Sequence, residues 1–230
     1  MIKKIMLLTI ICILMQSCNS QEKDLSKITF TEKYDTFFGE IPNKLDKDYS
    51  IIDPQLYNSY QSESEKILYF NGIDLSGYLD KKGEFGTNNV RFEFSKKDHS
   101  LQFYYLKLYK KNKISQLIES INGKMGKPVY IRMLQSNPKK NNPDALLWSD
   151  NTSYYLITGA TQNQVDFIVF DKKNIIIRNK WISGDFQYYG DYLDYLEEKN
   201  KTSKQISYYQ YAKLMESEGD EHYIKRYVKP

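Results

Sequence analysis

The chain has 230 residues, 33 of them Lys or Arg against 29 Asp or Glu, for a formal net charge of +4. So even a balance excludes a whole-domain electrostatic attraction to nucleic acid. With 40% hydrophobic residues the chain can bury a sizeable core, and its 21 Tyr, 11 Phe and 2 Trp make much of that core aromatic.

Met1-Ile2-Lys3-Lys4 opens the chain, an apolar run from Ile5 to Met15 is broken only by Thr9, and Gln16-Ser17-Cys18 follows. A basic start, a short apolar stretch and a small residue before a break are the parts of an export signal. The run is shorter than the roughly 20 apolar residues a bilayer span needs, so residues 1–17 are expected to be removed. Leu14-Met15-Gln16-Ser17-Cys18 resembles the lipobox of bacterial, Gram-negative lipoproteins. That resemblance implies cleavage before Cys18, lipidation of its sulfur and a lipid-anchored protein of the cell envelope. Asn19, where Asp would favour inner-membrane retention, points to the outer membrane, on its periplasmic or exposed side. Losing Lys3 and Lys4 leaves 31 basic and 29 acidic residues, a mature charge of +2. Cys12 goes with the leader, so Cys18 is the one cysteine retained and no disulfide can form inside the body.

Residues 18–27 are polar and lack apolar periodicity, which predicts a solvated tether. Residues 28–230 are then expected to form one α+β domain, with a division into two subdomains near residue 110 as the alternative. From Ile28 to Tyr60, Pro42 and Pro54 break any period, and short elements in loops are predicted. Ile67-Leu68-Tyr69-Phe70 reads as a strand ended by the turn Asn71-Gly72. Val90, Phe92 and Phe94 alternate with Arg91 and Glu93, the pattern of a strand with one wet face. The next strand, Leu101–Leu108, is apolar on both sides: Leu101, Phe103 and Tyr105 on one, Tyr104, Leu106 and Leu108 on the other. Tyr104 and Tyr105 must therefore enter different layers, as must Tyr154 and Tyr155.

Ile114, Leu117, Ile118, Ile121 and Met125 fall at helical spacing, so an amphipathic helix over 113–124 is predicted, stopped by Gly123, Gly126 and Pro128. Short runs at 129–134, 145–148, 154–157, 165–170 and 175–177 read as an antiparallel meander, with a Pro- and Asn-rich loop at 137–144. Trp181 to Tyr192 reads as an aromatic loop at the sheet edge. Helical spacing between 191 and 218 predicts a C-terminal helical pair, divided at 200–203, with Ser203 as a cap.

Catalytic and metal-binding patterns are sparse. His99 and His222 stand in neither a His-Glu-x-x-His helix nor a pair at metal-ligand spacing. There is no Gly-x-Ser-x-Gly elbow, phosphate loop or dinucleotide fingerprint, and no cofactor or metal is predicted. The most site-like stretch carries Trp181, Phe186, Tyr188 and Tyr189 among Asp185 and Asp191. Flat rings can stack on a sugar while carboxylates accept its hydroxyls, so this composition suits glycan contact; rings covering the sheet account for the same residues. Asp191, Asp194 and Glu198 fall on one helical side, where hydrolytic carboxylates, which must face across a cleft, are seldom found. Lys81-Lys82, Lys96-Lys97, Lys110-Lys111 and Lys139-Lys140 sit in turn-like sequence, as solvated loop tips or contacts to lipid phosphates. The reading is a non-enzymatic envelope protein that binds an envelope protein or a glycan. The rivals are a cell-wall or polysaccharide hydrolase and an inhibitor or immunity lipoprotein.

Overall fold

A computed structural model describes residues 22–46, 49–133, 143–160, 163–199 and 206–225. The lipobox, Lys139-Lys140 and Ser203 lie outside the described residues. The fold takes hold of the chain at Lys23, whose N–H donates to the Lys66 carbonyl at 2.8 Å. Asp24 then caps a 3-10 turn, Leu25–Lys27, by accepting the Ser26 N–H at 2.9 Å. Its carboxylate also accepts the N–H groups of Asn71 and Gly72, at 2.8 and 3.1 Å. Leu25 is buried, and its carbonyl accepts the hydroxyl of buried Tyr104. Residues 23–27, expected in the tether, are therefore held by the body: Asp24 satisfies backbone donors of the fold and Leu25 enters the core.

The elements in chain order are α1 (Tyr34–Phe37), β1 (Lys44–Asp46), β2 (Tyr57–Ser62), β3 (Tyr69–Phe70), β4 (Ile73–Asp74), β5 (Asn89–Ser95) and β6 (Leu101–Leu108). They continue with α2 (Lys111–Met125), β7 (Tyr130–Met133), β8 (Pro143–Ser149), β9 (Ser153–Thr158), β10 (Val165–Asp171), α3 (Ile175–Trp181), α4 (Gln187–Lys199), α5 (Tyr208–Ser217) and α6 (His222–Lys225). Asn71 and Gly72 both take positive φ, +52° and +76°, as a two-residue hairpin turn between β3 and β4 requires.

Eight strands form one antiparallel sheet in the order β1-β2-β5-β6-β10-β9-β8-β7. The first half of the chain runs from one edge to the middle. Helix α2 carries the chain to the far edge, and the second half meanders back until β10 pairs with β6. The residue near 110 where two subdomains were considered is thus the switch between two meanders that share one sheet.

Each side of the sheet carries its own core. One cluster joins Phe92, Tyr104, Trp148 and Phe167 to α1, α2 and the N-terminal segment; the other joins Phe103, Tyr105, Tyr154 and Phe170 to the C-terminal helices. Tyr104 and Tyr105 part as expected, and so do Tyr154 and Tyr155. Leu101 departs from expectation. Glu93 pairs with Phe103 but Phe94 with Leu101, so Gln102 is an extra residue that returns Leu101 to the Tyr104 side.

Two further expectations are corrected at the C-terminal end. Ile175–Ile177 is the start of a helix, not a strand: the Asn174 side chain accepts the Ile177 N–H at 3.1 Å and caps it. Trp181–Tyr192 is not a loop at the sheet edge but the end of α3, a 3-10 turn at Gly184–Phe186 and the start of α4. Helix α5 is capped by Ser207, which forms a reciprocal capping box with Gln210.

Candidate functional site

The six residues proposed from sequence for ligand contact do not form one cluster: Trp181 stands over β6, whereas Asp185 and Phe186 stand over β7, four strand positions away in the sheet. Phe186 and Tyr189 are buried and lie 6.1 and 5.9 Å from the Tyr130 ring. Trp181 stacks on Tyr105 with centroids 6.1 Å apart, and Tyr188 meets Tyr223 edge-on at 4.9 Å. Asp185 is ion-paired with Arg132, which also reaches Asp144 at 3.0 Å, and Asp191 accepts the Tyr223 hydroxyl at 3.0 Å. Most of these ring faces and carboxylates are engaged by the protein itself, which leaves little of them for a sugar. His99 lies in the turn after β5 with Nδ1 3.5 Å from Asp35, whereas His222 opens α6. Among the described residues no group of three His, Cys, Asp or Glu is placed to hold a metal ion.

A groove of about 740 Å³ opens instead at the β1–β2 pair, lined by residues 42–46 and 61–63. Strand β1 is outermost and pairs with β2 alone, Leu45 opposite Tyr60 and Asp46 opposite Ser59, so its other edge has no strand partner among the described residues. The pleat decides what lies beside the groove. Asp46, Ser59, Gln61, Arg91 and Glu93 all point to the side of the sheet that the C-terminal helices cover further along.

Arg91 organises this patch. Its guanidinium donates to Asp46 at 3.3 Å, to the Ser59 hydroxyl at 3.2 Å and to Gln61 at 3.0 Å. The Tyr49 ring, nearly half exposed, covers it at 4.3 Å. Two groove residues, Asp46 and Gln61, are thus held in place by one arginine. Glu93, two residues along the strand, is fully buried; Oε1 accepts the Ile51 N–H at 3.3 Å while Oε2 has no hydrogen-bond partner. Burial pushes the Glu93 carboxyl above its usual range, and Ser50, the Ile51 N–H, Ser59 and the Arg91 charge pull it back without cancelling the effect. The side expected to be wet is instead roofed by residues 49–53, whose Ile51 and Ile52 pack against the helix-side core.

Stability should carry that signature. Glu93 binds its proton more tightly folded than unfolded, so its contribution is fully present below about pH 4.3, the ordinary carboxyl value. It is lost as pH rises through the elevated folded value. Glu93→Gln has no proton to lose, so its denaturation midpoint is expected to gain on the native protein between pH 4 and pH 8. An equal difference at both pH values would contradict a Glu93 carboxyl shifted upward by burial.

Comparison of the chain with protein-family models, curated proteins and solved structures gives no match in any of the three. The groove and its arginine rest on geometry alone. Sequence reasoning missed them because Arg91 and Glu93 look like an ordinary solvent side. The available signal was that Ser59 and Gln61 alternate with Asn58 and Tyr60 as Arg91 and Glu93 do with Phe92.

Proposed function

We propose that the chain is a lipid-anchored, non-enzymatic protein of the bacterial envelope whose body binds an extended segment of an envelope protein along the β1 edge. The observation that carries this reading is the outer edge of β1, unpaired among the described residues, near a groove whose lining residues Asp46 and Gln61 are fixed by Arg91. A strand edge offers backbone donors and acceptors in a row, and an incoming extended chain satisfies them while adjacent walls select its side chains. Shortness and the charges of Lys44 and Asp46 protect this edge from indiscriminate pairing. Selectivity then falls to the groove walls.

The test places a photo-reactive residue at exposed Asn43 in the full lipoprotein and irradiates whole cells. A discrete cross-linked product is expected, and it should vanish when Glu63→Trp fills the groove. Products that persist unchanged in that variant, or none at all, refute the edge as a binding site. Mass spectrometry of the mature N-terminus tests the anchor separately, with acyl chains expected on Cys18.

A further inference from the structure

Residues 77–87 form a built loop between β4 and β5. Tyr78 bridges to Thr87, the Leu79 N–H donates to the Gly86 carbonyl at 3.0 Å, and the Thr87 hydroxyl accepts the Gly83 N–H at 2.9 Å. Gly86 takes φ +92° with Leu79 packed where a Cβ would stand, so the tip has a defined shape. That tip displays apolar side chains: Phe85 is 84% exposed, Leu79 44% and Tyr78 40%. Phe85 meets Tyr109 edge-on at 5.7 Å and otherwise faces outward. An aromatic ring held outward on a shaped loop marks a contact surface.

The occupant follows from where the body takes hold of the chain. Lys82, in the loop, is 2.9 Å from Glu65, and the next residue, Lys66, accepts the Lys23 N–H at 2.8 Å. The loop and the root of the N-terminal segment therefore share one end of the molecule. Five residue steps separate Lys23 from Cys18, a reach of at most about 18 Å. Acyl chains on Cys18 would hold this end, and not the opposite one, against the bilayer. Within residues 77–87 Lys81 and Lys82 are matched by Asp80 and Glu84, so the loop carries no net charge of its own, and with Lys110 set 5.4 Å over the Tyr78 ring its attraction is led by the exposed side chains rather than by acidic headgroups.

We infer that the 77–87 loop seats Phe85, with Leu79 and Tyr78, in the interface of the same leaflet that holds the acyl chains of Cys18. The inference rests on the lipid anchor proposed above. It makes the anchor a two-point attachment that fixes the orientation of the body, since one end is tied by lipid and the same end is seated by side chains.

The experiment uses the full lipoprotein in vesicles of phosphatidylethanolamine and phosphatidylglycerol, with Phe85→Cys carrying a polarity-sensitive fluorophore. Ile176→Cys, 55% exposed on α3, serves as the control position. Cys12 departs with the leader and Cys18 is acylated, so each new thiol is the sole labelling site. Nitroxide lipids labelled just below the headgroups are expected to quench position 85 at least about fivefold more strongly than position 176, with or without the phosphatidylglycerol. Acylated protein with equal quenching at both positions overturns the inference and leaves the anchor standing. Absence of acyl mass on Cys18 overturns the anchor and the inference together. Position 85 wet on vesicles but shielded from labelling in whole cells assigns the tip to a protein partner, and the lipid inference falls.

Discussion

Trp148→Ala is expected to lower stability by about 3–5 kcal/mol, the range for removing a fully buried large aromatic. Trp148 is 1% exposed, on the sheet side covered by α2, and it does two jobs there. Its ring fills the space between β8 and the helix, while its Nε1–H donates to the Asn122 side chain at 3.1 Å and to the Gly126 carbonyl at 3.2 Å. Gly126 ends α2, so the indole ties the helix end to the sheet just where the chain turns toward β7. Trp148→Phe keeps most of the packing and loses only the donor, with an expected cost of about 1–3 kcal/mol. Urea unfolding of the three proteins measures both. Equal losses in the two variants would show that packing contributes nothing and would sink this account.

Arg91→Met should cost about 2–3 kcal/mol, because it strips three side chains of a charged hydrogen-bond donor while keeping the apolar stem. Asp46, Ser59 and Gln61 lose their common donor, and Glu93 loses the one cation that pulls its proton affinity down. The effects are coupled. In the double variant Arg91→Met with Glu93→Leu, most of the loss should be recovered, with a coupling of at least about 1 kcal/mol in the four-protein cycle. Strict additivity would mean that the two side chains do not sense each other. Because Asp46 stands on β1, the single variant should also weaken cross-linking at Asn43, which separates a role in shaping the groove from a role in stability alone.

Much of the fold was legible in the sequence where one element decides its own pattern. Strand β6 occupies the predicted Leu101–Leu108, and α2 exceeds its predicted bounds by two residues at the start and one at the end. Both have strong periodicity that neighbours reinforce. The misplacement of Leu101 has a different origin: the extra residue Gln102 arises from pairing with β5, which no pattern within β6 can reveal. Three consecutive isoleucines at 175–177 suggested a strand from side-chain preference, and the Asn174 cap outweighed it.

The candidate site was hardly legible at all. Asp46, Gln61 and Arg91 come from three strands, and they converge only because β1, β2 and β5 lie side by side in one register. Arg91 and Glu93 carry the same local pattern whether water or residues 49–53 lie over them. The aromatic stretch that attracted attention, Trp181 to Tyr192, is rich in rings because it must cover the sheet, and composition alone does not separate that demand from ligand contact.

The pairing of β6 with β10 sets the order in which the molecule can assemble. Every residue from Tyr109 to Gln164 lies inside the interval closed when Leu108 meets Val165. Hairpins such as β8–β9 need only neighbours and can form and dissolve rapidly, but both hydrophobic layers stay open to solvent until that long interval is closed. The entropy of this one closure, more than the strength of any local turn, is what slows folding, and a chain stalled before it would present two unpaired strand edges to its surroundings.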